Sequence, residues 1–542
     1  MNILKHIYYF LFESGSFTRR LWIHFALLAI YSGVFIGTYF IIYEQSYRAN
    51  FQWYYQVIIS RLLVVTMVFH LVLVLGVKWK DFVQMVRQFF SEKGSSVNLS
   101  LFRFVIFWRF GMHFLFYCST TGSSWASLPY SQRVSLPFLG WLIKWIPIDP
   151  QLYEIACIIA GISCLLIAVG FFSRLFLVML IPFAFYCLGV PVFFGKINHS
   201  HIILWVIIIF CYSPVDDALS IKQWIRKRKF DGLAPPDDVK YMLPFKILWL
   251  QLSIIYFFAG FVKLWDSGLD WALSDSVIYQ MQNEWAEHYD KVPAFRIDRY
   301  PWLVKLGGLA TIYFELLYIF LILRPKSRIW AFISAFSFHK ITGYFFYIDF
   351  TELRLVHFSY IPWNKFINFI RNRKASSIDY STIPSESTKK SIGSSMIKFG
   401  FLCGVLLLLT NFMFSFFRIH SYPFSSYPTY SGLFKNEFVS INMIAYNGSG
   451  DVVDVMQQGK DSKFRWESIR PYELEIIRFY NEGSTQTMEE KMQEYWLIWT
   501  ANIPNLKGVV KVEMFKETTE LAPEKRLDVI KRDSLGTIYP GM

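Results

Sequence analysis

The sequence predicts an α-helical polytopic membrane protein of about eleven spans, ending in an extracytoplasmic α+β, β-rich domain. Three observations carry this expectation. The 542 residues are 54% hydrophobic, 20% aromatic and only 17% charged, too apolar for a soluble chain. Apolar runs of near-bilayer length recur as far as residue 416 and then stop. Basic residues gather in alternate loops between those runs, the pattern that orients helices in a membrane.

The N-terminal MNILKHIYYFLFESGSFTRR lacks a small-residue cleavage site and runs through Arg19 and Arg20 into apolar sequence, so it reads as a cytoplasmic segment rather than a removable signal. Two spans follow, about 21–43 and 54–77, and Lys78, Lys80, Arg87 and Lys93 mark the next loop as cytoplasmic. The third span, LFRFVIFWRFGMHFLFYC, carries Arg103 near its start, where a long side chain can snorkel to the interface. Arg109 and His113 lie deeper; four apart, they share a helix face and need partners or water. A Ser/Pro/Trp-rich loop over 120–150 predicts an external interfacial helix anchored by Trp141 and Trp145.

Spans at about 152–170 and 175–194 meet at a turn with Ser173 and Arg174, a sixth begins near His199, and IKQWIRKRKFDGLAPPDDVK after it is a basic cytoplasmic loop. The seventh, about 243–264, ends at Lys263 with Asp266 just beyond. The eighth, about 303–323, holds Glu315 in mid-helix and turns through RPKSR into a ninth with His339 and Lys340, so a Glu315–Lys340 pair is expected. The more polar segment Asp349 to Trp363, with Glu352, Arg354 and His357, reads as a re-entrant or tilted span. The basic loops after spans two, four, six, eight and ten fall on one side, which places the N-terminus in the cytoplasm and the C-terminal domain outside.

The expected organisation is two N-terminal helices and a cytoplasmic loop over 1–97, a helical membrane domain over 98–370, a Ser/Thr-rich linker over 371–395, a last transmembrane helix over 396–416 and a soluble domain over 417–542. In the last of these, FVSINMIAY and GVVKVEMF alternate as strands do, NGSGD is a turn, and TQTMEEKMQEYWLIWTANI has helical spacing that ends before Pro504. From Phe417 onward there are 15 Lys and Arg against 17 Asp and Glu, a net of −2, which leaves +16 of the overall +14 on the membrane part. That distribution is a membrane topology signal and gives no reason to expect a nucleic-acid partner.

No Walker loop, GxGxxG, HExxH or GxSxG occurs, and the six cysteines form neither a CxxC pair nor a metal-ligand spacing. The chemistry-bearing candidates are ionisable groups inside apolar sequence, where they are costly unless they face protein or a wet cavity. The short connection after the fifth span packs Lys196, Asn198, His199, Ser200 and His201 together. A lysine kept neutral by desolvation makes a base, and a histidine can relay a proton, so Lys196 and His199 are the catalytic candidates. Arg109, His113, Asn198, His201, Lys263, Glu315 and His339 are the candidates for holding a substrate in a polar intramembrane cavity. Each has a structural alternative as a hydrogen-bonded packing residue or a register-fixing ion pair.

LSLFRFVIFWRFG, GFFSR, NHSHIILW and IYFFAGFVKLWDSGLDW, in this order, resemble the HTTM family, which includes the vitamin-K-dependent gamma-carboxylase. The resemblance spans about 98–365, and HSYPFSSYPTYSG resembles the approach to the external domain of bacterial members. It implies a helical membrane domain with an external β-rich domain, lyase-type carboxylation, and a reduced quinone such as vitamin K hydroquinone as cofactor. In the carboxylase a lysine shortly before an NHS triplet is the base; here the triplet is Asn198, His199 and Ser200, the lysine position falls close to Phe193, and Lys196 stands three residues late. Three readings therefore stay open: a bacterial-type inner-membrane enzyme acting on a quinone-like or lipid substrate or a secreted peptide; a non-enzymatic maturation, immunity or interaction factor for a secreted peptide; and a transporter, disfavoured because no pair of broken-helix repeats is apparent. Membrane lipids, a quinone and a secreted peptide are the expected partners.

Overall fold

The computed structural model describes residues 9, 13, 17–46, 52–126, 146–194, 201–227, 235–348, 350–366, 392–419, 421–426, 431–462 and 469–540. Seven of the described helices are long and apolar enough to cross a bilayer: Ile58–Val77, Ser96–Phe116, Pro150–Ala168, Ser173–Phe193, Val239–Ser267, Pro301–Ile322 and Lys398–Phe416. The chain is a multipass membrane protein that is mostly helical, with a small antiparallel sheet near its C-terminal end.

Helices α1 (Phe17–Ser46) and α2 (Gln52–Val77) come first, and α3 (Trp79–Ser91) is amphipathic. Helix α4 (Ser96–Met112) starts where the Ser95 side chain accepts from Val97 N–H at 3.2 Å, and continues as a π-helical stretch from His113 to Gly122. Helix α5 (Pro150–Ala168) is capped by Asp149, which accepts from the Gln151 and Leu152 N–H groups, with Pro150 in the first turn where its missing N–H costs nothing. Helix α6 (Ser173–Gly189) returns antiparallel to it, and α7 (His201–Cys211) is buried along nearly its whole length. After the short α8 (Ile221–Lys227) comes α9 (Val239–Val262), the most enclosed of the seven crossing helices, which ends in a π-turn from Lys263 to Ser267.

Helix α10 (Ser276–Glu287) lies outside the crossing set; α11 (Pro301–Ile322) and α12 (Arg328–Phe345) form the next hairpin, followed by α13 (Thr351–Val356), a 3₁₀ turn at His357–Tyr360, and α14 (Ile392–Phe416).

Four of the eleven expected crossings do not join the seven. In α1 only Trp22–Thr38 is continuously apolar. Helix α7 has 11 residues, about 16 Å at 1.5 Å per residue, against a hydrocarbon core of about 30 Å. Helix α12 has 18 residues but carries Arg328, His339 and Lys340, and α13 has 6. Arg103, expected to snorkel, is instead buried at 1% exposure: its guanidinium donates to the carbonyls of Val215 and of Leu219, the latter at 2.7 Å, and lies 3.6 Å from Asp216. The arginine thus acts as a staple between α4 and the turn after α7. The segment expected to hold Trp141 and Trp145, and nearly all of the 371–395 linker, lie outside the described residues.

The C-terminal part carries the strands read from the sequence. β1 (Phe438–Asn447) and β2 (Val452–Asp454) are joined through a turn in which Asn447 and Asp451 bond each other's backbone and Ser449. Helices α15 (Val455–Asp461), α16 (Arg470–Glu482) and α17 (Thr485–Asn502) precede β3 (Val509–Thr519) and β4 (Val529–Ile538). All pairs are antiparallel in the order β2-β1-β3-β4, with Ile441 opposite Lys516. Met492, Trp496 and Trp499 of α17 are buried in the core with Met443 and Ala445 of β1 and Met514 of β3.

Candidate functional site

A cavity of about 400 Å³ lies among α9, α10, α11, α12 and α13. Its walls are mostly apolar, and their polar side chains include Lys263, Glu315, Tyr256, His339 and Gln280 beside the hydroxyls of Thr311, Ser334, Ser337 and Thr342. Volume and lining suit a small amphipathic ligand.

Helix α9 supplies the framework. Tyr256 and Lys263 are seven residues apart, two turns on the same face. The π-turn begins at Lys263, whose Nζ donates to Glu315 Oε1 at 2.8 Å and Oε2 at 2.9 Å and stands 5.2 Å over the Trp271 ring. Gly260 permits this approach, since a Cβ there would meet Glu315 Cβ at 2.9 Å. The expected partner of Glu315, Lys340, is exposed on the far side of α12, so the pair is Lys263–Glu315: α9 packs against the face of α11 that holds the carboxylate, and α12 turns Lys340 away.

Two turns back along the wall, the Tyr256 hydroxyl sits 2.6 Å from His339 Nε2 and 3.2 Å from His357 Nε2. His357 Nδ1 is 2.8 Å from the Leu353 carbonyl, which can only accept, so Nδ1 carries the proton and Nε2 accepts from Tyr256. The tyrosine has one proton to give, so its oxygen accepts from His339 Nε2–H. The network thus fixes both tautomers. Beside it, Tyr318 and Tyr360 share a 2.8 Å hydroxyl bond and Tyr360 stacks on Trp249 at 4.8 Å.

The other sequence candidates separate into distinct places. Arg109 and His113 do share a face, and both find Glu352 of α13, at 2.9 and 3.0 Å. Neither lines the cavity, although Leu353, next to Glu352, does. His201 opens α7, fully buried, its ring 5.0 Å from that of Tyr422. Phe193, near the position where the resemblance expects a lysine, also packs on Tyr422, at 6.1 Å. Lys196, Asn198 and His199 lie outside the described residues.

Sequence reasoning missed Tyr256 and passed over His357 and Glu352 as candidates. The signal for Tyr256 was present in the spacing of Trp249, Tyr256 and Lys263, each seven residues from the next on one helix.

At the opposite end of the aromatic stack, Trp249 carries the Arg328 guanidinium at 4.6 Å, and Arg328 makes two 2.8 Å bonds to Glu92. Burial alone would raise the Glu92 carboxyl, but Arg328 and Lys246 together hold it below its ordinary value. Along α9, Lys246 to Lys263 spans about 25 Å at 1.5 Å per residue, so polar and aromatic side chains line α9 through most of a bilayer's thickness.

The C-terminal part is seated on the cavity's roof. Gln280, a lining residue, donates to the Gly432 carbonyl at 2.9 Å, and Ser276 accepts from Phe434 N–H at 2.9 Å. Arg296 and Arg299 reach Glu524 at 2.7 and 3.0 Å, and Arg526 donates to the Gln282 carbonyl at 3.1 Å. The Arg296 guanidinium, then that of Arg299, pulls the Glu524 carboxyl down to about 2.

Among curated proteins and among solved structures, nothing matches this chain. The stretch that contains α4 to α13, and with them the cavity, the Arg109–His113–Glu352 cluster and the hydroxyl–imidazole network, matches a family model, the HTTM domain, over residues 97–361.

Proposed function

We propose that this protein binds a quinone-like or lipid amphiphile in the cavity among α9 to α13 and handles protons at the ligand's polar end, in chemistry resembling that of the gamma-carboxylase. The observation that carries the reading is the Tyr256 hydroxyl held between His339 and His357 in an otherwise apolar wall, with Lys263–Glu315 in the same cavity. A cavity of about 400 Å³ with donors and acceptors gathered in one wall fits a substituted ring bearing two oxygens. A reduced quinone, when bound, supplies two electrons and two ionisable hydroxyls. Tyr256 and His339 would hold such oxygens by hydrogen bonds, and a proton arriving at His339 is one hydroxyl away from His357 Nε2, which accepts it while the Leu353 carbonyl keeps the ring oriented. Lys263 would supply positive charge, already balanced by Glu315 and therefore stable in the resting protein. With Lys196 and His199, these are the residues proposed to serve the reaction.

The test is extraction of the purified protein with organic solvent and mass spectrometry of the extract, followed by titration with menadione while the tryptophan emission is compared between the wild type and a Trp271→Phe protein. A retained quinone or lipid, and quenching that is lost in Tyr256→Phe and His339→Gln proteins of normal yield, is the expected result. An empty extract and no quenching in the wild type would overturn the reading.

A second reading, an interaction factor for a secreted peptide, is favoured by the seating of the C-terminal part over the cavity through Gln280, Arg296 and Arg299. It would place that part outside, as the charge pattern of the loops expects.

A further inference from the structure

Three of the six cysteines, far apart in sequence, converge at one buried point. Cys157 of α5 and Cys187 of α6 face each other with their sulfurs 3.5 Å apart. Cys118, on the π-helical stretch after α4, is within hydrogen-bonding reach of Cys157. Tyr153 donates to the Cys187 carbonyl at 3.0 Å. A solitary buried cysteine packs as a small hydrophobe. Three thiols brought edge to edge by three helical segments do more than fill space.

The surroundings are polar as well as sulfur-rich. His113 Nδ1 is 3.0 Å from Glu352 Oε1, and the carboxylate is itself held by Arg109 at 2.9 Å. Cys118, Cys187 and Tyr153 face Cys157, and His113 interacts with it electrostatically.

The geometry points to a thiol–disulfide redox centre at Cys118, Cys157 and Cys187, with a membrane-dissolved two-electron oxidant of the quinone class as its co-reactant. Two S–H bonds break, one S–S bond forms between Cys157 and either neighbour, and the two electrons and two protons leave with the oxidant as its quinol. Cys118, 5% exposed where Cys157 and Cys187 are fully buried, is the entry thiol, and exchange through Cys157 passes the bond inward to Cys187. Van der Waals contact between the sulfurs means that closure to the roughly 2.0 Å of a disulfide needs a shift of about 1.5 Å, within the adjustment of two helix-borne side chains.

The experiment uses the full chain in detergent, exposed to menadione and then to a denaturing maleimide count of its six thiols. Loss of two thiols, restored by dithiothreitol and mapped by non-reducing peptide mass spectrometry to Cys157 with Cys187 or Cys118, is expected. Cys157→Ser should abolish the loss, whereas Cys164→Ser, also buried on α5 but outside the cluster, should leave it unchanged. Six reactive thiols after menadione and also after diamide would overturn the inference. So would a loss that persists in Cys157→Ser or maps only between molecules. If Cys157→Ser fails to accumulate, Cys187→Ala with wild-type peptide mapping decides the matter. The thiol count reads this cluster alone, so its outcome is separable from ligand binding in the cavity.

Discussion

Removing one partner of Lys263–Glu315 should cost far more than removing both. The two side chains are 4% and 5% exposed, with both carboxylate oxygens at 2.8 and 2.9 Å from Nζ. At those distances the attraction is about 6 kcal/mol for an effective dielectric near 20, set against a desolvation cost of several kcal/mol per ion. The net worth of the intact pair is therefore small, but Glu315→Leu leaves an ammonium in apolar surroundings with only the Trp271 face and the Ala259 carbonyl at 3.5 Å. The expected loss is about 3–5 kcal/mol for either single change and within about 1 kcal/mol of wild type for Lys263→Met with Glu315→Leu. Thermal unfolding in detergent, followed by size-exclusion fluorescence, should show both singles melting many degrees lower and the double recovering. Additive losses across the cycle would refute the buried-pair argument and leave Lys263 facing water. The double variant also tests function, since it keeps the fold while stripping the charge from the cavity.

Other outcomes follow from the same geometry. Tyr256→Phe should cost about 1–3 kcal/mol in thermal stability, because it removes the hydroxyl that satisfies two imidazoles, whereas Tyr318→Phe, which removes one hydroxyl bond, should cost about 1 kcal/mol. The folded Glu524 carboxyl lies below its unfolded value, so its contribution to seating the C-terminal part is complete above about pH 4.3 and is lost as pH falls toward 2. Hydrogen exchange at Arg296–Tyr300 should rise over that window, and an Arg296→Ala protein should show the rise already at neutral pH. Gly170→Ala should destabilise by about 1–3 kcal/mol, since φ is +74° and the added Cβ would meet the Ser220 Cα at 2.8 Å; a wild-type melting temperature would disprove that.

Much of the architecture was legible because hydrophobic length and turn chemistry are local. Spans at 54–77, 152–170, 175–194, 243–264, 303–323 and 396–416 coincide with crossing helices, and β1, β3 and α17 fall on the alternation and spacing that announced them. Pairing was the illegible part. Glu315 had Lys340 in the adjacent hairpin arm and Lys263 a whole element earlier, and only the facing of α9 against α11 decides between them. Arg103 looked like an interfacial residue because nothing local says that the turn at 215–219 folds back over it. His113 and Arg109 could be placed on one face, but their shared carboxylate is more than two hundred residues away, in the polar segment read only as a re-entrant or tilted span.

Helix α7 has a consequence for how the chain is assembled. The eleven described residues of α7 are enclosed by protein along nearly their whole length and by themselves span about 16 Å, so the insertion machinery has little reason to release them sideways as an independent unit. They must wait at the aqueous boundary or beside the nascent partners until α9 has emerged, and then be drawn in as a group. That order predicts that the outer helices form a receptacle first and that this strongly apolar stretch enters last. A stall placed in translation between Asp217 and Val239 should therefore leave the segment around Trp205 open to aqueous labelling, although in the finished protein that tryptophan is among the most deeply enclosed side chains.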